Sequence, residues 1–408
     1  MTVASNKAIT VNRNLLFRMI NVPGNPTIVT HNIAKGWDDT RVDALEAAVY
    51  RLADRNPILS GILHNSEVDV TTGKKTAGVF VEPHKFQRFV HYVEPPKDIP
   101  SPATLDGDTI AFTKYVQSFI EPLIPSSKTG TEEIQQQLPV FGVHVMRLPD
   151  GYVYYAPRLS HQVGDGTTYY QLVEELNAIL LGEKLPPPIV WGTDGATSFD
   201  LISPHQVRNP LWWLGTIVSA IIHAIYGFGK TQQILLSQRK IQQKKKELAK
   251  AGSHLSTNDI VTAALSSAIS KDYDYSTHAV NYRAVGRCPG VGPRDGGNVT
   301  RLVPYALGAS AHDPSKVREL TDSLARSPNR DAPLWSMLRG RGFNQTNWAN
   351  LQCTLEGTVI HGPLQSLVDT MDVPLAIVYQ PNDEEIGIMH KFKKVNVETG
   401  LLSEILTD

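Results

Sequence analysis

The stretch from Val140 to Leu180 constrains the fold of this chain more than any other. Val140-Phe-Gly-Val-His-Val-Met146 reads as a strand. Leu148-Pro-Asp-Gly151 follows as a turn, in which proline presets φ and glycine tolerates a positive φ. Tyr152 to Leu159 is the returning strand, and Pro157 within it predicts an edge position or a bulge. Then comes His161-Gln-Val-Gly-Asp165-Gly166, and Tyr169, Leu172, Val173, Leu176 and Leu180 mark the buried stripe of a helix. His161 therefore sits between a strand end and a helix start, a rigid place to mount a reactive side chain.

The rest of the chain divides around this unit. Asp38 can cap a helix whose apolar positions are Val42, Leu45, Val49 and Leu52. Asn56-Pro57 ends it, and Ile58 to Leu63 reads as a strand. Residues 64–135 read as short strands and one helix. Pro186-Pro-Pro188 marks a boundary. A stretch from Leu211 to Gly229 carries no charged residue, and a basic helix follows with Arg239, Lys240, Lys244, Lys245, Lys246 and Lys250. Ile234, Ile241 and Leu248 lie a heptad apart there and predict a narrow apolar seam. Ser256 and Asp259 form a variant of the capping box, opening a helix with Val261, Ala264, Leu265 and Ala268 on its apolar face. Strands are expected at Thr277–Arg283, Val299–Leu307, 343–355 and 374–391, and a polar helix at 314–326. At 408 residues the chain exceeds the roughly 250–300 residues of a single core. The expected organisation is an N-terminal domain over 1–188, a crossover over 189–253 and a C-terminal domain over 254–408.

Composition excludes several classes. With 41% hydrophobic and 19% charged residues the chain is not of the disordered class. A net charge of −1 gives no basic field for nucleic acid. Cys288 and Cys353 form no disulfide framework, CxxC pair or zinc-ligand spacing, which fits a reducing compartment. The start, Met1-Thr-Val-Ala-Ser-Asn-Lys7, has no apolar h-region, so a cytoplasmic location is expected. Two sequons, Asn298-Val-Thr300 and Asn344-Gln-Thr346, are then coincidental.

A neutral imidazole at His161 suits general-base chemistry near neutral pH. Asp165, at the helix start, could orient the ring or pair with a distant cation, and Gly164 and Gly166 allow tight turning around it. The bland alternative is a buried loop histidine beside a helix-capping aspartate, and on the motif alone that alternative weighs more. No third ligand lies at a zinc-like spacing, so no metal is expected.

Four segments in order shift that balance. Leu45 to Gly61, Pro139 to Leu180, Leu255 to Ala264, and Asn281-Tyr-Arg283 followed by Gly297-Asn298 together resemble the CoA-dependent acyltransferase superfamily with the chloramphenicol-acetyltransferase-like fold. That superfamily includes plant and fungal alcohol acyltransferases, wax ester synthases and peptide-synthetase condensation domains. The resemblance implies an α/β (α+β) fold of two similar domains, each a mixed sheet flanked by helices, with an active-site tunnel at their interface. It implies acyl-CoA as co-substrate, no permanently bound cofactor, and a small alcohol or amine as acceptor; O-acyl transfer to an apolar alcohol is favoured because the uncharged 211–229 crossover could contact such a substrate. His161 would be the general base for direct attack on the thioester. Asp165 would pair with Arg283 and hold the His161 loop. Thr346 and Asn347 are the candidate oxyanion donors, and Gly166 and Trp348 would lie beside substrate; Trp348 packing the core is an equal alternative. Three departures stand out. No Asp-Phe-Gly-Trp-Gly occurs, since Val368 to Pro374 does not match it; Ser160 rather than a second histidine precedes His161; and Asn281 replaces an aspartate before Arg283.

The 211–229 segment is long enough to span a bilayer by the roughly 18-residue criterion, with Trp212, Trp213 and Lys230 placed as interfacial anchors. A single span there would put His161 and Arg283 on opposite sides of a membrane, against a shared site. Gly215, Thr216, Ser219, His223, Gly227 and Gly229 also weaken it. The expectation is an amphipathic or buried crossover helix in a monomer. Peripheral membrane-surface contact through 211–250 is the second choice. Two other functions compete with acyl transfer from CoA: a carrier-protein-dependent condensation or cyclisation enzyme, and a non-catalytic relative that binds a lipid or a partner. The single histidine speaks against the first and the intact His161 and Asp165 against the second.

Overall fold

The computed structural model describes residues 9–12, 27–68, 75–83, 88–105, 107–124, 138–191, 218, 229–249, 254–269, 272–283, 291–307, 309–323, 334–351, 353–363 and 374–407. Apart from Val218 and Gly229, the 211–229 segment lies outside the described residues, and with it the crossover-helix expectation. Among the described residues no helix is long and apolar enough to cross a membrane. The chain forms two compact units: Met1–Leu201 with Gly292–Val299 and Leu351–Thr370, and Ile202–Val291 with Thr300–Asn350 and Met371–Asp408. The units are not contiguous, so boundaries at 188 and 253 do not describe them. Two later segments complete the first unit.

In the first unit, β1 (Ile9–Asn12), β4 (Lys75–Pro83) and β3 (Gly61–Val68) form a small antiparallel sheet in that order. The main sheet has five strands in the order β12 (Thr358–Pro363), β2 (Ile28–Lys35), β7 (Tyr152–Leu159), β6 (Phe141–Arg147), β5 (Val90–Tyr92). Only β5–β6 is parallel. Helix α1 (Asp39–Arg55) starts where the Asp38 carboxylate accepts from Arg41 N, and buries Val42, Leu45, Ala48, Val49 and Leu52. Pro57 then fixes φ at a helix-compatible value. The chain therefore makes a 3-10 turn over Pro57–Ser60 and enters β3 only at Gly61, later than the strand expected from Ile58.

The hairpin forms as expected, with Asp150 (φ 58°) and Gly151 (φ 71°) both left-handed in the turn. The edge position expected from Pro157 is not found. β7 lies between β2 and β6 and keeps one register on both sides of the proline. Pro157 removes one ladder donor without ending the pairing. Helix α2 (Thr109–Tyr115) precedes a short turn that carries Glu121. Helix α3 (Gly166–Leu181) ends at Gly182 (φ 67°) and packs on α1. The buried Glu175 of α3 pairs with Arg55, and Asn56 Nδ2 donates to it at 3.3 Å.

In the second unit six strands run in the order β10 (Thr300–Ala306), β9 (Tyr275–Asn281), β11 (Gly342–Asn347), β13 (Leu375–Tyr379), β14 (Glu385–His390), β8 (Gln232–Ser237). β11 is parallel to both neighbours, so this sheet is mixed too. Helix α4 (Gln238–Leu248) begins at the Ser237 cap, so Ile234 belongs to β8 and not to a helical seam. Of the expected seam, Ile241 is buried and Leu248 is exposed. Two of the helix's cations are engaged inside the unit: Lys240 Nζ donates to Leu406 O at 2.9 Å, and Lys244 pairs with Glu247 and Glu404.

Helix α5 (Thr257–Ile269) carries the capping box as read. Ser256 N donates to Asp259 Oδ2 at 2.7 Å, and Asp259 N donates to Ser256 Oγ at 3.3 Å. Arg318, on helix α6 (Pro314–Asp322), adds two donors to the same buried carboxylate. The core joins Ile260, Val261, Ala264 and Leu265 to Phe343, Val378 and Ile388, with Leu402 and Ile405 of helix α7 (Gly400–Ile405) closing it. Of the strand read at 343–355 only the part up to Asn347, within β11, is strand; β12 follows beyond it and was not expected. β12 pairs antiparallel with β2, His361 opposite Asn32, and so belongs to the first unit's sheet.

Candidate active site

β7 delivers His161 to the end of the main sheet. Ser160 N still donates to Val140 O at 2.7 Å, and Val163 N then turns back to Ser160 O at 3.0 Å. Gly164 is required by space and not by φ: a Cβ there would lie 2.8 Å from the Thr168 side chain and 3.0 Å from Leu159. The expectation of permissive turning is thus replaced by one of close approach.

Asp165 is buried and caps α3, its Oδ1 accepting from Thr168 N at 3.0 Å. Its Oδ2 accepts from Val299 N at 2.9 Å. The Gly297–Val299 segment is therefore fastened to the helix start. Thr168 adds to this, its hydroxyl donating to Gly297 O at 2.8 Å and accepting from Gly297 N at 3.1 Å. Gly297 has φ 109°, a conformation that favours glycine. Gly166 is the first residue of α3 and is partly exposed.

This fastening brings Asn298 to His161. Asn298 Nδ2 donates to the His161 carbonyl at 2.8 Å, and Oδ1 lies 3.1 Å from His161 Nδ1. The carbonyl can only accept, so it fixes which end of the amide is NH2. Oδ1 must then face Nδ1, and a proton on Nδ1 completes the bond. That tautomer leaves the lone pair on Nε2. Burial holds His161 below the ordinary histidine range, while its own carbonyl, Asp165 and Asn298 act in the other direction. The ring is neutral at pH 7 and partly exposed.

The other expected site residues lie in the second unit. Arg283 is buried at the end of the segment that follows β9, and its N and Nη1 both donate to Asn281 Oδ1, at 2.9 and 3.3 Å. The residue found where an aspartate was expected thus braces the arginine. Thr346 and Asn347 end β11 on opposite faces by strand alternation. Asn347 Nδ2 donates to Asn258 Oδ1 at 2.8 Å, and its Oδ1 accepts from Ala349 N at 2.9 Å. Trp348 is buried, with its N donating to Val378 O at 2.7 Å. Among the described residues no group of three or more His, Cys, Asp or Glu could hold a metal ion.

No protein-family model and no curated protein matches the sequence. Solved structures do match the fold. The F. sporotrichioides TRI101 structure complexed with coenzyme A and T-2 superposes with a TM-score of 0.64 at 14% identity, covering 98% of this chain and 99% of that one. Vinorine synthase gives 0.59 at 12% identity, over 100% and 95% of the two chains. The first condensation domain of the CDA synthetase gives 0.57 at 11% identity, over 95% and 93%. The chain has the chloramphenicol-acetyltransferase-like fold. In this fold's terms the two mixed sheets with their flanking helices are the two halves that the resemblance implied. Asn298, Thr168 and Val299 are the contributors to the His161 site that sequence reasoning did not assign. The signal for Asn298 was present, as half of the Gly297-Asn298 pair, but nothing in its spacing says which side chain it reaches.

Proposed function

We propose that this chain is a CoA-dependent acyltransferase that moves an acyl group to the hydroxyl of a small acceptor, with an amine as the less favoured alternative. The observation that carries the reading is the Asn298 contact, which supports an Nδ1-protonated His161 with Nε2 available as base. His161 Nε2 takes the acceptor O–H proton as the oxygen attacks the thioester carbonyl of acyl-CoA. The C–O bond forms, the tetrahedral oxyanion collapses, and the C–S bond breaks. The departing thiolate recovers the proton from Nε2, so no acyl-enzyme is needed. Thr346 is the preferred oxyanion donor, because the Asn347 amide already serves Asn258 and Ala349. Asp165 and Arg283 are proposed as an ion pair that holds the His161 loop, with Gly166 and Trp348 beside substrate.

The test is thiol release from a panel of acyl-CoAs offered with mixed alcohols and amines. Release by wild type, and its loss in His161→Ala, is the expected result. Equal release by both proteins removes the general-base role. Reaction with an acyl-carrier protein where CoA fails would move the assignment to the condensation class.

A further inference from the structure

The Gly292–Val299 segment, which carries Asn298 to His161, is held from a second side by residues with no part in the chemistry above. Val190 and Asp295 form a parallel bridge. Val190 N donates to Arg294 O at 2.9 Å, and Gly296 N donates to Val190 O at 2.9 Å. Arg294 Nε donates to Pro187 O at 3.0 Å, and Gln171 Nε2 of α3 donates to Pro293 O at 2.8 Å. The indole of Trp191 packs directly on Gly296. A Cβ at that position would lie 2.7 Å from Trp191 Cε3 and 2.8 Å from Ile189 Cγ2. Gly296 is outside the left-handed region, so glycine is required there by space alone.

A polar circuit between α1 and α3 sets where that indole lies. Trp191 Nε1 donates to Asn56 Oδ1 at 2.9 Å. Asn56 Nδ2 donates to Leu52 O at 3.1 Å and to Glu175 Oε2 at 3.3 Å. The Leu52 carbonyl can only accept, so the amide has one orientation and its oxygen faces the indole. Glu175 pairs with Arg55, whose Nη2 donates to Pro186 O at 2.8 Å. The circuit thus grips the chain at Pro186 and again at Trp191. Glu175 is fully buried. Taking a carboxylate out of water is costly even when it is paired, and apolar packing of the same volume serves stability as well. What the circuit does supply is direction. It fixes the indole on one side of Gly296, while Thr168 and Asp165 hold Gly297 and Val299. Asn298 lies between these two grips.

We propose that Trp191 is a positioning residue for His161. Seated on Gly296 and aimed by Asn56, it keeps Asn298 at the depth where Oδ1 meets His161 Nδ1, and so keeps the proton on Nδ1. Removing the indole opens a space over Gly296 into which the segment can shift, and a side-chain hydrogen bond weakens steeply with distance and angle. The effect on the tautomer needs no acyl transfer; the effect on rate rests on the acyltransferase reading.

Full-length protein labelled with 15N-histidine shows the tautomer directly, the His161 signals being assigned by their absence in His161→Ala. In wild type Nδ1 should carry the proton. In Trp191→Ala the ratio of Nδ1–H to Nε2–H should fall about fivefold, the weight of one hydrogen bond. Trp191→Phe keeps a ring over Gly296 and should recover most of that change. Ile388→Ala, in the core of the second unit, lowers stability without touching this segment and should keep the wild-type ratio. An unmoved ratio in Trp191→Ala, an equal loss in Trp191→Phe, or the same fall in Ile388→Ala overturns the proposal, even where the melting temperature drops.

Thiol release from acyl-CoA gives the second reading. The kcat of Trp191→Ala should fall about threefold or more with KM little changed. A rise of KM alone would put Trp191 at the substrate and overturn the positioning role. A tautomer that shifts in Trp191→Ala, with no thiol release from any of the proteins, leaves that role standing and removes the acyltransferase reading. Thiol release by wild type with an unmoved tautomer in Trp191→Ala removes the role and leaves the reading.

Discussion

Asn298 grips His161 at both ends: its Nδ2 donates to the His161 carbonyl at 2.8 Å, and its Oδ1 stands 3.1 Å from Nδ1. The two contacts fix the backbone and the proton together. Burial keeps His161 neutral to a pH below the ordinary 6.5, so the acid limb of kcat/KM should lie below that value. Asn298→Asp puts a carboxylate beside Nδ1, favours the imidazolium and moves this limb to higher pH. Asn298→Ala frees the ring and should lower kcat about tenfold with little change of limb. A pH–rate profile of the three proteins checks both, and an unmoved limb in Asn298→Asp would show that this contact does not govern the base.

Asp165 uses both carboxylate oxygens, one on Thr168 N and one on Val299 N. Asp165→Asn must turn an NH2 toward one of these donors. The expected loss is about 1–3 kcal/mol in urea denaturation, with a lower soluble yield and unchanged acceptor preference. If Arg283 is also its partner, a double-mutant cycle with Arg283→Gln should show coupling; additive losses would remove the pair.

His278 is buried, bonds Ser276 Oγ at 2.7 Å, and is pushed down to about 3 by burial. His390 is pushed down to about 4 for the same reason. Below pH 6.5 the unfolded chain takes up protons that the folded chain refuses, so stability is full above 6.5 and falls toward pH 3–4. The melting temperature should drop over that window. His278→Gln should flatten the slope by on the order of 1 kcal/mol per pH unit. An identical slope in the variant would mean that this ring is not the titrating group.

Thr346 and Asn347 should separate cleanly. Thr346→Val is expected to lower kcat about 100–1,000-fold with an unchanged melting temperature. Asn347→Ala, which strips the partners of Asn258 and Ala349 N, should lower stability more than kcat. The reverse pattern would make Asn347 the oxyanion donor.

The local signals were legible in the sequence because their causes are local. Caps at Asp38, Asp165 and Ser256, the Leu45–Leu52 stripe and the Pro149–Gly151 turn each depend on residues a few positions apart. What was hidden is nonlocal. Thr358–Pro363 was not among the expected strands, and its pairing with β2 is what makes it one and assigns it to the first unit. Val140 to Met146 reads as a strand without saying which of its faces is covered, and His144 is buried. The far face of that sheet is covered, as the 3.4 Å contact of His31 with Glu121 records. For the same reason the residue that sets the His161 proton, 137 positions away, carried no positional signal.

The pairing of β12 with β2 has a consequence for synthesis. Trp37 and Glu356, joined by a hydrogen bond beside that pair, are 319 positions apart. Loop closure over such a distance is slow and comes late. A nascent chain emerging from the ribosome would carry β2 as an unprotected edge through most of translation, open to pairing with other chains. Expression yield of this protein should therefore respond to chaperone supply and growth temperature. A fragment ending at residue 201 should aggregate, even though it holds His161 and the whole of its helix.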